Sequence, residues 1–387
     1  MSFYADPSFF ILLIAAVIPA AVLGLAEKPL GRYGAVASVI LIACLFCKTP
    51  LEGFYAACYL TLSCASIQWL LRSPASKKRF WVSLSLALAP LIVYKVSAVF
   101  DQSLLGFLGI SYLTFKSVQM VLEIHDGIID RMAPLDTFAF LVFFPTFTSG
   151  PIDRSRRFLE DAHAVRPKDE YAGMLARGIL LIVAGLVYKL FIAGLMYKSY
   201  SLAPWGTADF FWELFLQVKT AYVYGFYLFF DFAGYSLMAI GASWCFGIKT
   251  PRNFRAPFIA VDIKDFWNRW HMTLSFWLRD FVFMRFARAS MKRKLFKKRL
   301  HTSLCGYLVN MTLMGAWHGL TPNYLAYGAY HGALLALCEL YQKKSSFYKK
   351  NKDRTWYKVL SWIVTIQLVM LGFALFSGQI SVLLKGR

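Results

Sequence analysis

Asp265-Phe-Trp-Asn-Arg-Trp-His-Met-Thr-Leu-Ser-Phe-Trp-Leu-Arg-Asp280, continuing to Phe286, is too polar to cross a bilayer, yet apolar runs lie on both sides of it. At 100° per residue Phe266, Trp267, Trp270, Leu274, Trp277, Leu278 and Phe281 share one helical face. Asp265, Asn268, Met272, Ser275 and Arg279 lie opposite, with His271 at the border. The periodicity predicts an interfacial helix lying along a membrane. On that pattern alone, His271 is either a border residue of an amphipathic anchor or an imidazole placed for chemistry.

Outward from this stretch, composition sets the class. The chain has 387 residues, 58% hydrophobic and 16% charged, with a mean hydropathy of +0.52. Soluble domains are about half apolar and a quarter charged, so an integral membrane protein is expected. Apolar runs recur at 9–26, 34–46, 55–71, 80–99, 105–122 and 138–148. Six more lie at 175–196, 210–230, 236–248, 303–317, 324–340 and 359–384. A helix needs about 20 apolar residues to cross directly. The shorter runs are therefore expected as broken or re-entrant helices enclosed by protein. The fold class is all-α and polytopic, with roughly eleven crossings, and residues 1–387 are expected to form a single transmembrane domain.

The formal charge of +21 reads as basic cytoplasmic loops rather than nucleic-acid binding. Basic clusters at 72–79, 154–157, 285–299 and 343–354 are assigned to the cytoplasm, which places the N-terminus and Arg387 outside. Without the basic lead of a signal peptide, 9–26 is expected to be a retained first span. Cys44 and Cys47 fall within an apolar run, so their spacing reads as helix packing rather than a metal or redox site.

His318 ends a largely apolar run and precedes Gly319-Leu-Thr-Pro322. Ionisable groups at membrane depth are costly and usually face a cavity or pathway. An imidazole titrating near neutrality suits proton abstraction from a hydroxyl, although a histidine hydrogen-bonded inside a bundle fits the same sequence. Gly315 and Gly319 permit close backbone approach beside it. His331 is a weaker candidate of the same kind, and His125, His163 and His301 read as loop or surface residues. Pro145, Gly150 and Pro151 interrupt 143–154, and Pro251 and Pro257 interrupt 251–257. Irregular backbone at membrane depth is expected only where protein encloses it or it lines a cavity. Asp231, between apolar residues, either lines a pathway or pairs with an arginine. The chain has no Gly-x-Ser-x-Gly elbow, P-loop or Gly-x-Gly-x-x-Gly.

Together, Phe232-Ala-Gly-Tyr-Ser236, Asn253-Phe-Arg-Ala-Pro-Phe258, Asp265 to Asp280 and Gly315-Ala-Trp-His-Gly319 resemble the membrane-bound O-acyltransferase family. Phe144 to Arg154 and Arg279 to Arg285 look most like its DltB-type branch, which transfers D-alanine in teichoic acid modification. The resemblance implies a ring of transmembrane helices around a funnel and tunnel. It makes His318 the catalytic base and His271 the second histidine. Asn253, Asp265, Trp267, Arg269, Trp270, Trp317 and Asp231 would line the tunnel or position substrate. No resident cofactor or metal is implied; a carrier protein would deliver the acyl group as a phosphopantetheine thioester. Arg285, Lys292, Arg293 and Lys294 could dock that acidic carrier, or simply express the positive-inside bias. A DltD-like extracytoplasmic partner, a small membrane peptide acceptor and membrane lipid are further implied partners. The alternatives are an O-acetyltransferase acting on an exported polysaccharide and a transporter or scaffold without chemistry.

Overall fold

The computed structural model describes residues 3–201, 206 and 209–385, and all regular structure among them is helical. The expected position of Arg387 lies outside the described residues. Two compact units are present: Met1–Leu186 with Gly234–Arg252, and Val187–Ala233 with Asn253–Arg387.

The first unit contains α1 (Pro7–Leu25), α2 (Gly31–Leu45), α3 (Pro50–Leu71), α4 (Lys77–Ser97) and α5 (Ile110–His125). It continues with α6 (Pro134–Val142), α7 (Ser155–His163) and α8 (Lys168–Leu186). Prolines open α1, α3 and α6, where a missing N–H costs no helical hydrogen bond. Ser76 caps α4 by accepting the Arg79 N–H at 3.4 Å.

The run at 138–148 is broken, as Pro145 requires. After α6 the chain makes one 3-10 turn, Phe144–Thr146, and then continues as irregular backbone. This segment is buried and protein supplies its partners. Ser38 Oγ accepts the Phe144 N–H at 3.0 Å. Lys116 Nζ donates to the Phe140 carbonyl and to Thr146 Oγ1, both at 3.0 Å. The Tyr235 hydroxyl lies 2.7 Å from Thr148 Oγ1 and accepts the Ser149 N–H at 3.0 Å. His125 is not a surface residue: its ring stacks on Phe80 with centroids 3.9 Å apart.

The second unit holds α9 (Ala193–Lys198), α11 (Ile263–Trp267), α12 (Met272–Leu278), α13 (Met284–Lys292), α14 (Arg299–His318) and α15 (Pro322–Lys344). It ends with α16 (Ser346–Asn351), α17 (Thr355–Phe376) and α18 (Gln379–Lys385). Helix α10 (Phe210–Cys245) belongs to this unit up to Ala233 and to the first unit from Gly234. The runs at 210–230 and 236–248, read separately in the sequence, are therefore joined in one helix of 36 residues. No proline interrupts 231–236, and the charged residue there, Asp231, forms an ion pair with Lys189. Lys189 lies in a π-helical turn, Val187–Ile192.

Among the described residues, six helical segments are long and apolar enough to cross a membrane: Pro7–Leu25, Pro50–Leu71, Lys77–Phe100, Lys168–Lys198, Phe210–Cys245 and Thr355–Phe376. Helices α14 and α15, with 20 and 23 residues, match these in length but are more polar. They pack at backbone distance: a Cβ on Gly315 would lie 2.3 Å from the Tyr324 carbonyl oxygen, and one on Gly328 would lie 2.4 Å from that of Met311. Small residues permit this approach between membrane helices.

The Asp265 stretch is not the continuous interfacial helix its periodicity suggests. Helix α11 ends at Trp267, residues 268–271 turn, and α12 begins at Met272. A π-helical turn, Arg279–Phe283, then leads into α13. Every residue of the expected apolar face is nonetheless buried. The break arises because tertiary partners take the backbone groups that a helix would have used. The Asn253 carbonyl accepts the Met272 N–H at 2.8 Å, and the Arg269 carbonyl accepts the Arg255 N–H at 3.0 Å.

Candidate active site

The break delivers His271. Its φ of +43° lies in the left-handed region, uncommon outside glycine, and the paired segment 253–255 holds it there. Asn253, itself buried, accepts from the Thr273 hydroxyl at 2.6 Å through its side-chain oxygen. The backbone and side chain of Asn253 thus both clamp the turn that carries the imidazole.

His318 arrives from another direction, as the last residue of α14. Gly319 continues in extended conformation, and Pro322 opens α15. A carbonyl-rich helix end favours positive charge by about 0.3–1 kcal/mol when exposed. A proton taken up by His318 therefore develops its charge at a suitable pole.

Trp317 contacts both histidines. Its ring centroid is 4.5 Å from that of His318 and 6.4 Å from that of His271. Phe376 at 5.0 Å, Tyr324 at 5.9 Å and Tyr327 at 6.4 Å enclose the His318 ring. Phe232 meets the His271 ring edge-on at 4.7 Å. His271 is 4% exposed, and its Nε2 has no hydrogen-bond partner among the described residues. Burial, then repulsion from the neighbouring His318 imidazole, hold its pKa well below the usual imidazole value. His271 is thus a neutral imidazole with one unpaired nitrogen beside a second imidazole. Such a pair can accept a proton at one ring and hydrogen-bond a polarised oxygen with the other.

The other residues singled out in the sequence divide by their contacts. Trp267 Nε1 donates to His331 Nδ1 at 3.4 Å, so His331 is a fully buried partner within the helix packing. Trp270 stacks on Phe266 at 5.5 Å and meets Phe254 and Phe373 at 5.1 and 4.9 Å. Asp265 forms a 2.7 Å ion pair with Arg269 and accepts the Val261 N–H at 3.2 Å. These two charges brace the start of the break. Asp231 pairs with a lysine, not with the arginine considered in the sequence.

On and just after α13, Lys292, Arg293 and Lys294 are exposed, whereas Arg285 is half-buried. Sequence reading missed the apolar residues set among these charges. Met284, Met291 and Leu295 are 47%, 50% and 58% exposed. Their spacing of seven and then four residues, one helical face, was the available signal. It also missed the enclosing residues Tyr324, Tyr327 and Phe376, for which aromatic content alone gives no marker.

A cavity of about 270 Å³ opens elsewhere in this unit. Phe276, Phe283, Met311, Met314 and Leu335 supply apolar wall, with Trp267 and Asn310 also lining it. The Asn310 side-chain oxygen is buried without a hydrogen-bond partner among the described residues.

Comparison with known proteins adds to this geometry. The family model described as MBOAT, membrane-bound O-acyltransferase family, matches residues 54–379. A teichoic acid D-alanyltransferase of Bacillus subtilis (strain 168) is 40% identical over 398 residues, covering 98% of each chain. One from Streptococcus thermophilus (strain ATCC BAA-250 / LMG 18311) is 39% identical, covering 97% of this chain and 94% of its own. One from Lacticaseibacillus rhamnosus is 36% identical, covering 97% and 96%. With its apolar helices and the family model spanning most of its length, the chain is a multi-pass membrane enzyme and belongs to the membrane-bound O-acyltransferase family.

Proposed function

We propose that this acyltransferase moves D-alanine from a carrier-protein thioester, presented at the cytoplasmic face, to a hydroxyl acceptor for a teichoic acid-type polymer of the cell envelope. The observation that carries the reading is the pair of histidines that both contact Trp317, one neutral with an unpaired nitrogen and one at a helix C-terminus. The names of relatives matched over nearly the whole chain support D-alanine as the transferred group.

In this mechanism His318 accepts the acceptor hydroxyl's proton as the oxygen attacks the thioester carbonyl. The N–H of neutral His271 donates to the carbonyl oxygen as negative charge develops there. The C–O bond forms, the C–S bond breaks, and His318 returns the proton to the departing thiolate. General-base action of this kind contributes about 10²–10⁴-fold, and positioning in an enclosed site adds to it. The 270 Å³ cavity, lined by apolar side chains and Asn310, has room for a slender pantetheine arm. The apolar and basic residues of 284–295 fit an acidic carrier bearing a small apolar contact.

Proteoliposomes containing the chain and carrier protein loaded with D-[14C]alanine or with [14C]acetyl test the donor. Transfer from D-alanyl carrier, with little from acetyl carrier, is expected. Incorporation of acetyl alone would overturn the reading in favour of polysaccharide O-acetylation.

A further inference from the structure

A second cleft, of about 510 Å³, lies in the unit formed by Val187–Ala233 and Asn253–Arg387, between α15, α16 and α17. The proposed chemistry does not use it. Leu334, Leu337, Leu360, Val364 and Leu368 line its apolar part. Tyr341, Tyr348, Tyr357, Lys352 and Lys358 line its polar part.

The two parts are ordered along the helices. On α17, Tyr357, Ser361, Val364 and Leu368 recur every three or four residues down one face, from the first turn inward. At about 1.5 Å per residue this face is about 16 Å deep, close to one leaflet of a hydrocarbon core about 30 Å thick. Helix α15 runs the gradient in reverse, from Leu334 to Tyr341 and Gln342 near its C-terminal end. Polar residues from both helices therefore collect at one end of the cleft, and apolar residues extend from it. Rings mark the polar end as interfacial: Phe347 meets Trp356 and Tyr357 at 6.1 Å, and Tyr341 meets Tyr348 at 5.6 Å.

Charge completes the description. Residues 343–358 contain seven Lys or Arg and one Asp. Lys343 is committed to Glu339 at 2.6 Å, but Lys352 and Lys358 are exposed and have no anionic partner among the described residues. Asp262, the carboxylate in the lining, accepts from Gln342 Nε2 at 3.0 Å and from the Asp265 N–H at 2.8 Å. The Tyr357 hydroxyl donates to that of Tyr341 at 3.3 Å, so Tyr341 can direct its own proton to an anion.

We propose that this cleft binds one anionic phospholipid from the basic-side leaflet. Its phosphate lies at Lys352, Lys358 and Tyr341, and an acyl chain lies along Leu337, Val364 and Leu368. Basic recesses between membrane helices on the cytoplasmic side recognise anionic headgroups by this chemistry. A soluble phosphoryl compound would satisfy the lysines but leave the apolar depth unfilled.

Native mass spectrometry of the full-length chain, delipidated in detergent, tests the assignment. The probes are palmitoyl-oleoyl phosphatidylglycerol, palmitoyl-oleoyl phosphatidylcholine and glycerol 3-phosphate. One equivalent of phosphatidylglycerol is expected to bind about 10-fold or more tightly than phosphatidylcholine, and glycerol 3-phosphate should not displace it. The double variant Lys352→Gln, Lys358→Gln should weaken binding about 25-fold, or about 5-fold per lysine. Lys349→Gln with Lys350→Gln, in the same basic segment but outside the lining, should change it less than 3-fold. Val364→Trp, which fills the apolar part with charge intact, should also release the lipid. Only variants with wild-type thermal midpoints are scored. Equal affinity for both lipids, displacement by glycerol 3-phosphate, or equal effects of the two lysine pairs would overturn the proposal.

Discussion

Two proline-interrupted stretches, 143–154 and 251–271, carry irregular backbone in a protein built of helices, and they differ in how their buried polar groups are satisfied. In the first, Lys116, Ser38 and Tyr235 saturate the chain. Among the described residues, it leaves no buried side-chain nitrogen or oxygen without a partner. In the second, Asn253 and the 253–255 backbone fix the turn, yet the imidazole at its end keeps an unpaired Nε2. A buried polar atom left unpaired costs about 1–3 kcal/mol. In the proposed reading, substrate supplies the missing partner beside the second histidine. The same breaker chemistry thus yields a fully partnered stretch in one place and an unpartnered imidazole in the other.

The largest effect that separates them is catalytic. His271→Gln should slow acyl transfer about 10²-fold or more and shift the thermal midpoint less than Lys116→Met does, because side-chain volume is largely kept and no protein hydrogen bond to Nε2 is lost. Transfer assays with a melting curve on the same sample check both halves. Lys116→Met should do the reverse. Losing donors to Phe140 O and Thr146 Oγ1 should cost about 1.5–3 kcal/mol, with activity per folded molecule near wild type. An inactive but fully stable Lys116→Met would break the distinction.

Gly315→Ala tests how His318 is placed. The added methyl meets the Tyr324 carbonyl at 2.3 Å, so the helix pair must separate, at about 1–3 kcal/mol. Slower transfer with unchanged carrier binding is the expected signature. The smallest effect follows pH. His271 in the folded chain lies below the ordinary imidazole value of about 6.5, so its contribution to stability is complete above that pH. As pH falls below about 6.5 the unfolded chain takes up a proton that the buried ring refuses. Stability should then decline by up to about 1.4 kcal/mol per pH unit. Thermal midpoints between pH 7.5 and 5.5 should show this decline, and His271→Gln should make it shallower.

The sequence revealed both irregular stretches because Pro145, Gly150, Pro151, Pro251 and Pro257 act locally on the backbone. It also indicated which aromatic residues of 266–281 are buried, since burial follows periodicity even where the helix is interrupted. The interruption itself was not legible. Residues 268–271 contain no glycine or proline, and their turn depends on hydrogen bonds to 253–255. The partner of Asp231 was hidden for a related reason: Lys189 lies 42 positions earlier, in a π-helical turn that composition does not announce. His318 was legible as a costly residue at the end of an apolar run. Its proximity to His271 through Trp317 required the folded chain.

The central claim is that the His271–Trp317–His318 cluster performs the transfer. Single-turnover reaction of D-[14C]alanyl carrier with His318→Ala in proteoliposomes tests it most directly, with carrier binding measured in parallel. Wild-type carrier binding and an acyl-transfer rate reduced about 10²–10⁴-fold are expected. Transfer at the wild-type rate by a folded, carrier-binding His318→Ala chain would contradict it.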